Sequence, residues 1–136
     1  MSRRTARETA MQACYQMEIR KEYEVDVVSK YVDGVTDNEN DRKFIEEMVS
    51  IFVQNKETID GEIVKNLKGW SIDRLSLIDL SILRIGLAEM LYREDIPVKV
   101  SINEAIELGK RYGTDDSSSF ISGLLGAVAV KEDLDE

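Results

Sequence analysis

An all-α fold follows from three features of the chain. Apolar residues recur at three- and four-residue intervals almost throughout, the period of a helix face. Proline occurs once, at Pro97. No run alternates apolar and polar residues between turn dipeptides, as a hairpin would. With 136 residues the chain is read as one domain, residues 1–136, able to bury roughly two thirds of the surface its unfolded form exposes.

The first helix is placed at about Arg3 to Lys21, where Ala6, Ala10, Ala13, Cys14 and Met17 share one face. Arg3, Arg4 and Arg7 fall in the adjacent arc, so a basic side borders a packing side. A short helix covers Val25 to Tyr31, and Gly34 to Asn40 reads as a polar loop. Thr36 with Glu39 suggests a capping box opening a longer helix near Asn38. That helix carries Phe44, Ile45, Met48, Ile51 and Phe52 on one face and continues to Leu67, with a break expected near Gly61. Gly69 is the stop, and Ser71 is the expected N-cap of the next segment.

The stretch Arg74 to Tyr92 is apolar around most of its circumference, which assigns it to the middle of a bundle. Pro97 breaks the chain after it. Ser101 and Glu104 have capping-box spacing for the next helix, with Gly113 ending it in a left-handed conformation. Asp116 is the expected cap of a last helix running to about Lys131.

Composition excludes several classes of function. Apolar residues make up 43% of the chain, too many for a disordered protein, and no apolar run approaches the ~20 residues of a membrane span. The N-terminus is charged but lacks the apolar core of a secretory signal. A single cysteine, Cys14, makes no internal disulfide, in keeping with a reducing cytoplasm. Without histidine, the chain offers no ligand set for zinc and no base for Cys14, which reads as a core thiol. Glu104, Glu107, Asp115 and Asp116 are read as caps or solvated positions rather than as acid–base pairs. "GTDDSSSF" lacks the lysine and glycine spacing of a phosphate loop. No enzyme activity, metal or cofactor is expected.

Charge is unevenly spread. Net charge is −9, with six acids against two bases between Asp33 and Glu47, and four against one from Lys131 to Glu136. Arg3, Arg4 and Arg7 form a basic island at the other end. Cations at a helix N-terminus oppose the macrodipole, at a few tenths of a kcal/mol each. Phosphate gives them a reason to be there, because guanidinium forks bind it bidentately. Phe120, in the first turn of the last helix, is either core or a platform for an unpaired base. Asp79, an acid isolated among apolar residues, marks either a solvated stripe or a protein-binding surface.

Two segments, "RRTARETAMQACYQ" and "LSILRIGLAEMLYREDIPVKVSINEAIELGKRYGTDDSSSFISGLLGAV", resemble the bacterial transcription antitermination factor NusB family. Ile102 to Lys110 is the most specific part. The resemblance implies about seven helices in two small subdomains packed together. It implies binding of boxA RNA in ribosomal-RNA leader and phage transcripts, through Arg3, Arg4, Arg7, Asp116 and Phe120. It also implies pairing with NusE, the ribosomal small-subunit protein that doubles as an elongation factor, through Asp79. The complex would form on RNA polymerase with NusA and NusG. Ser119 and Ser122 depart from the basic residue and the asparagine usual in the family. A related domain precedes the catalytic domain of some ribosomal-RNA cytosine methyltransferases, and a chain of this length is expected to lack that further domain. The rival from another class is a protein-interaction bundle, a homodimer included, whose arginines meet the acids of residues 33–47 in trans.

Overall fold

The computed structural model describes residues 1–134, and Asp135 and Glu136 of the acidic tail lie outside the described residues. Seven α-helices and no strand are present among them: α1 (Arg3–Arg20), α2 (Val25–Asp33), α3 (Glu39–Gln54), α4 (Lys56–Lys65), α5 (Leu77–Tyr92), α6 (Val98–Tyr112) and α7 (Ser117–Lys131). A single 3-10 turn, Ile72–Arg74, precedes α5. The all-α expectation is met.

Helix α5 is the hub. Every residue from Leu80 to Met90 is buried, and the helix packs on α1, α3, α4, α6 and α7. Two helical groups pack around it, α1 with α2 and α3, and α6 with α7. Ala6, Ala10, Ala13, Cys14 and Met17 of α1 are all buried, as their shared face requires. Phe44, Ile45, Met48 and Phe52 of α3 join the same continuous core, with Ile51 packed at its edge. Burial pushes the Cys14 thiol up to about 12, so it packs as an apolar side chain rather than a nucleophile.

Helix boundaries differ from the sequence reading where a competing contact wins. Asn38 caps α3 by accepting the N–H of Asp41 at 3.0 Å, while Thr36 accepts only the N–H of Asn38, so no Thr36–Glu39 box forms. The break between α3 and α4 falls at Asn55, whose amide donates to the Ile51 carbonyl; Gly61 continues α4. Ser76 rather than Ser71 caps α5, accepting the N–H of Asp79 at 3.0 Å. The proposed Ser101–Glu104 box also fails. Pro97 starts α6, so Ser101 lies inside the helix, buried, and its hydroxyl donates to Glu89.

Gly113 ends α6 but in an extended conformation, φ −93°, not a left-handed one. Close approach is its reason: a Cβ there would lie 2.3 Å from Ser117 Oγ and 2.8 Å from the Gly109 carbonyl. Asp116 occupies the cap position of α7 without a side-chain capping bond; Ser117 Oγ accepts the N–H of Thr114 at 2.9 Å instead.

One buried ionic group fastens the C-terminal end of α1. Arg84 of α5, 2% exposed, donates to both oxygens of Asp60 on α4 at 2.9 and 2.8 Å, and to Glu18 of α1 at 2.7 Å. Burial alone would raise the Glu18 carboxyl, but hydrogen bonds from Lys21, Tyr23 and Arg84 outweigh it and hold the group at about 2, below its ordinary 4.5. A carboxyl depressed by folding adds stability above its unfolded value and loses that stability as pH falls through the folded one. Circular-dichroism melts should therefore show the midpoint dropping between pH 4.5 and about pH 2. Glu18→Gln should lower the midpoint at neutral pH and flatten that acid limb.

Candidate nucleic-acid interface

The N-terminal turn of α1 is capped by Ser2, whose hydroxyl accepts the N–H of Thr5 at 3.1 Å. That cap fixes where the three arginines leave the helix, and each meets a different environment. Arg3 is exposed and makes no ion pair among the described residues; its guanidinium carbon lies 4.1 Å from the centre of the Phe44 ring. The ring holds this cation in place without neutralising it.

Arg4 is 55% exposed and forks onto Glu104 of α6, Nε to Oε1 at 3.0 Å and Nη2 to Oε2 at 2.9 Å. Those bonds hold the Glu104 carboxyl below the usual range. The solvent side of the Arg4 guanidinium stays open.

Arg7 is buried. Its Nε and Nη2 donate to the two oxygens of Glu89 on α5 at 2.7 and 3.0 Å, and Ser101 Oγ adds a third donor at 3.1 Å. Only 7% of the Arg7 side chain and 2% of the Glu89 side chain are exposed. Of the three guanidiniums grouped by the sequence, one is free, one is shared with a surface carboxylate, and one is internal. The physical reason is the helix itself: Arg7, one turn in, falls where α1 meets α5 and α6.

The same helix face continues with Glu8, which accepts from Arg111 Nη1 and from the Tyr112 hydroxyl of α6, each at 2.8 Å. Arg93, in the chain after α5, points its guanidinium at Phe44 from 5.5 Å and forks onto Asp95 at 2.9 and 2.8 Å.

Asp116 is exposed at the start of α7, and Phe120 is half-buried one turn later. Neither makes a hydrogen bond or ion pair with the arginine cluster among the described residues. Phe120 instead lines a hollow together with Trp70 from the loop after α4. Asp79 stands in the first turn of α5, where a carboxylate complements the helix dipole. Its Oδ1 is buried and has no hydrogen-bond partner among the described residues.

Comparison with known proteins assigns the scaffold. The NusB family model matches residues 4–130. The chain belongs to the NusB family. The transcription antitermination protein NusB of Acetivibrio thermocellus is 46% identical over 128 residues, covering 94% of this chain and 88% of that protein. A solved structure of NusB from T. maritima superposes with a TM-score of 0.88 at 32% identity, over 96% of this chain and 92% of that one. A crystal structure of the antitermination factors NusB and NusE in complex with double-stranded RNA superposes with a TM-score of 0.85 at 27% identity, over 95% and 96% of the two chains. The NusB family is one of transcription antitermination factors, not of enzymes.

Sequence reasoning missed Glu89 and Arg84, the two charges that organise this NusB-family scaffold. A signal was available. Both lie within a helix apolar on nearly all sides, where a charge survives only if paired and fully hydrogen-bonded. Breaking such a pair leaves an uncompensated buried ion. Glu89→Ala should cost about 3–5 kcal/mol in urea unfolding, and Arg4→Ala, at the surface, should cost less than about 1 kcal/mol.

Proposed function

We propose that the chain is a non-enzymatic antitermination factor that binds boxA RNA of ribosomal-RNA leader transcripts together with NusE. It acts within the complex on RNA polymerase that includes NusA and NusG. The observation that carries the reading is the tip of α1: on a body of net charge −9, Arg3 is left without a carboxylate and is held on Phe44, beside the half-open Arg4. The solved relative in which NusB and NusE are in complex with RNA supports it.

The roles follow from the environments. Arg3 and Arg4 take phosphate oxygens and orient the strand, which positions the RNA without reading its sequence. Arg7 serves the RNA through Glu89, by fixing the turn that presents the other two. Asp116 and Phe120 supply a second contact region, a polar acceptor and a ring face for an unpaired base. Asp79, half-buried in the first turn of α5, presents the accessible part of its carboxylate to NusE.

A mobility-shift titration with a short boxA-like RNA, with and without NusE, tests the whole reading. Arg3→Ala with Arg4→Ala should weaken binding and flatten its salt dependence by about 0.7 in the log–log slope for each phosphate no longer neutralised. An unaltered slope would remove the arginines from the interface. Asp79→Lys should abolish capture of NusE in a pull-down while the isolated protein keeps its RNA affinity. Capture at wild-type strength would dismiss that role.

A further inference from the structure

Trp70 is 60% exposed, an unusual state for so large an apolar side chain. The loop that carries it is built to turn it outward. Lys68 and Gly69 both have positive φ, 43° and 92°, and the Trp70 N–H closes the turn onto the Leu67 carbonyl at 3.1 Å. Gly69 suits that conformation, whereas Lys68 adopts it at some cost.

The ring borders two hollows. One, of about 440 Å³, is lined by Trp70 and Phe120, with exposed Gly123 and Ala127 of α7 as a floor and Lys68 and Asn66 at its edge. The other, also about 440 Å³, is lined by Trp70 with Gly69, Ser71 and Arg74. Both fall within the size range of small-ligand sites, about 300–1,000 Å³.

The absence of carboxylates separates these two hollows from others on the surface. The hollow along α3 carries Glu39, Glu46 and Glu47. That between α1 and α6 sets Glu8 and Glu107 among Arg4, Lys110 and Arg111, and that under Arg84 sets Glu18, Asp60 and Asp73 beside Lys21 and Lys56. The pair flanking Trp70 has a lysine and an arginine and no carboxylate. An aromatic wall with cations on either side and no acid is the chemistry that single-stranded nucleic acid needs: a ring for the base and charge for the adjoining phosphates. An acidic peptide would be served by the cations but would leave the rings without a use.

We infer that Trp70 and Phe120 form a slot for one unpaired base of the bound RNA, with Lys68 and Arg74 taking the phosphates on either side. The inference rests on the RNA-binding reading above and adds Trp70, Lys68 and Arg74 to its contacts. It makes the hollow between α7 and the loop after α4 part of the RNA path.

Trp70 is the only tryptophan in the chain, so its emission reports on this slot alone. The full chain is titrated with a short single-stranded boxA-like RNA at low salt. Tryptophan emission and the anisotropy of a labelled RNA are followed together. Emission should be quenched with the same midpoint as the anisotropy rise. Trp70→Ala should weaken binding on the order of tenfold to a hundredfold, the span of one stacked base. Trp70→Phe should restore most of it, and melts should stay at wild type because the ring is exposed. Lys68→Ala and Arg74→Ala should each reduce the salt slope. RNA binding by anisotropy, with emission unchanged and Trp70→Ala at wild-type affinity, overturns the slot and leaves the RNA reading intact. No anisotropy change at all overturns the RNA reading and the slot together. Quenching by NusE but not by RNA marks the surface as a protein contact and also overturns the slot.

Discussion

Burying a guanidinium in an acidic helical body is the constraint on which the remaining arrangement depends. An ion removed from water loses several kcal/mol of solvation, and only close, multiple hydrogen bonds offset that loss. Two arginines are buried against α5 or within it. Arg7 is matched by Glu89, with Ser101 completing the carboxylate's partners, and Arg84 is matched by Asp60 and Glu18. Such pairs add little net stability over well-packed apolar residues, but they tolerate no sliding. A shift of α1 by one residue, about 1.5 Å along its axis, would part Arg7 from Glu89 and Glu18 from Arg84 at once. Register, rather than adhesion, is what they supply.

The consequence reaches the surface. α1 is fixed near one end by Arg7 and Glu8 and near the other by Glu18, so its first turn is held by bonds to α5 and α6 that loop motion does not disturb. Arg3 and Arg4 belong to that turn. A cation on a clamped helix start gives up less freedom on meeting phosphate than one on a loose terminus, and preorganisation of this kind is worth affinity. The opposing macrodipole is the cost, and the Ser2 cap together with the Phe44 ring reduces it locally.

Periodicity made the helices legible and left the ends of helices less so. The apolar faces of α1 and α3 and the all-round burial of α5 could be read from spacing, because one face repeating every 3.6 residues admits few alternatives. Caps were read poorly. Thr36 and Ser101 had the right side chains in the right order, yet Asn38 and Pro97 hold those positions, and Ser71 heads only the 3-10 turn, without a capping bond, while Ser76 caps α5. Capping patterns recur by chance, and tertiary demand decides among them: Ser101 was needed by Glu89. The basic tip was visible as composition. Its division into free, shared and internal arginines was not, since that depends on which residues of α5 and α6 fold back against it. Trp70 escaped notice for the opposite reason. An isolated aromatic in a loop has no period, and only the hollows beside it show what it borders.

Helix α5 links the two proposed partners, and its rigidity limits how they can communicate. Asp79 stands in its first turn and Glu89 ten residues later, roughly 15 Å along the same axis. Coupling between two sites through a conformational change needs an element with two arrangements that each ligand prefers differently. α5 offers none: Leu80 to Met90 are buried, and its two buried charges, Arg84 and Glu89, are committed to α1 and α4. Cooperation between the two proposed partners would therefore come from proximity rather than from a change of shape. A partner that itself binds RNA, docked at the start of α5 as proposed, would hold that surface at a fixed distance from the arginine tip, and the second contact would become intramolecular. Affinity then rises through effective concentration while each surface keeps its separate shape.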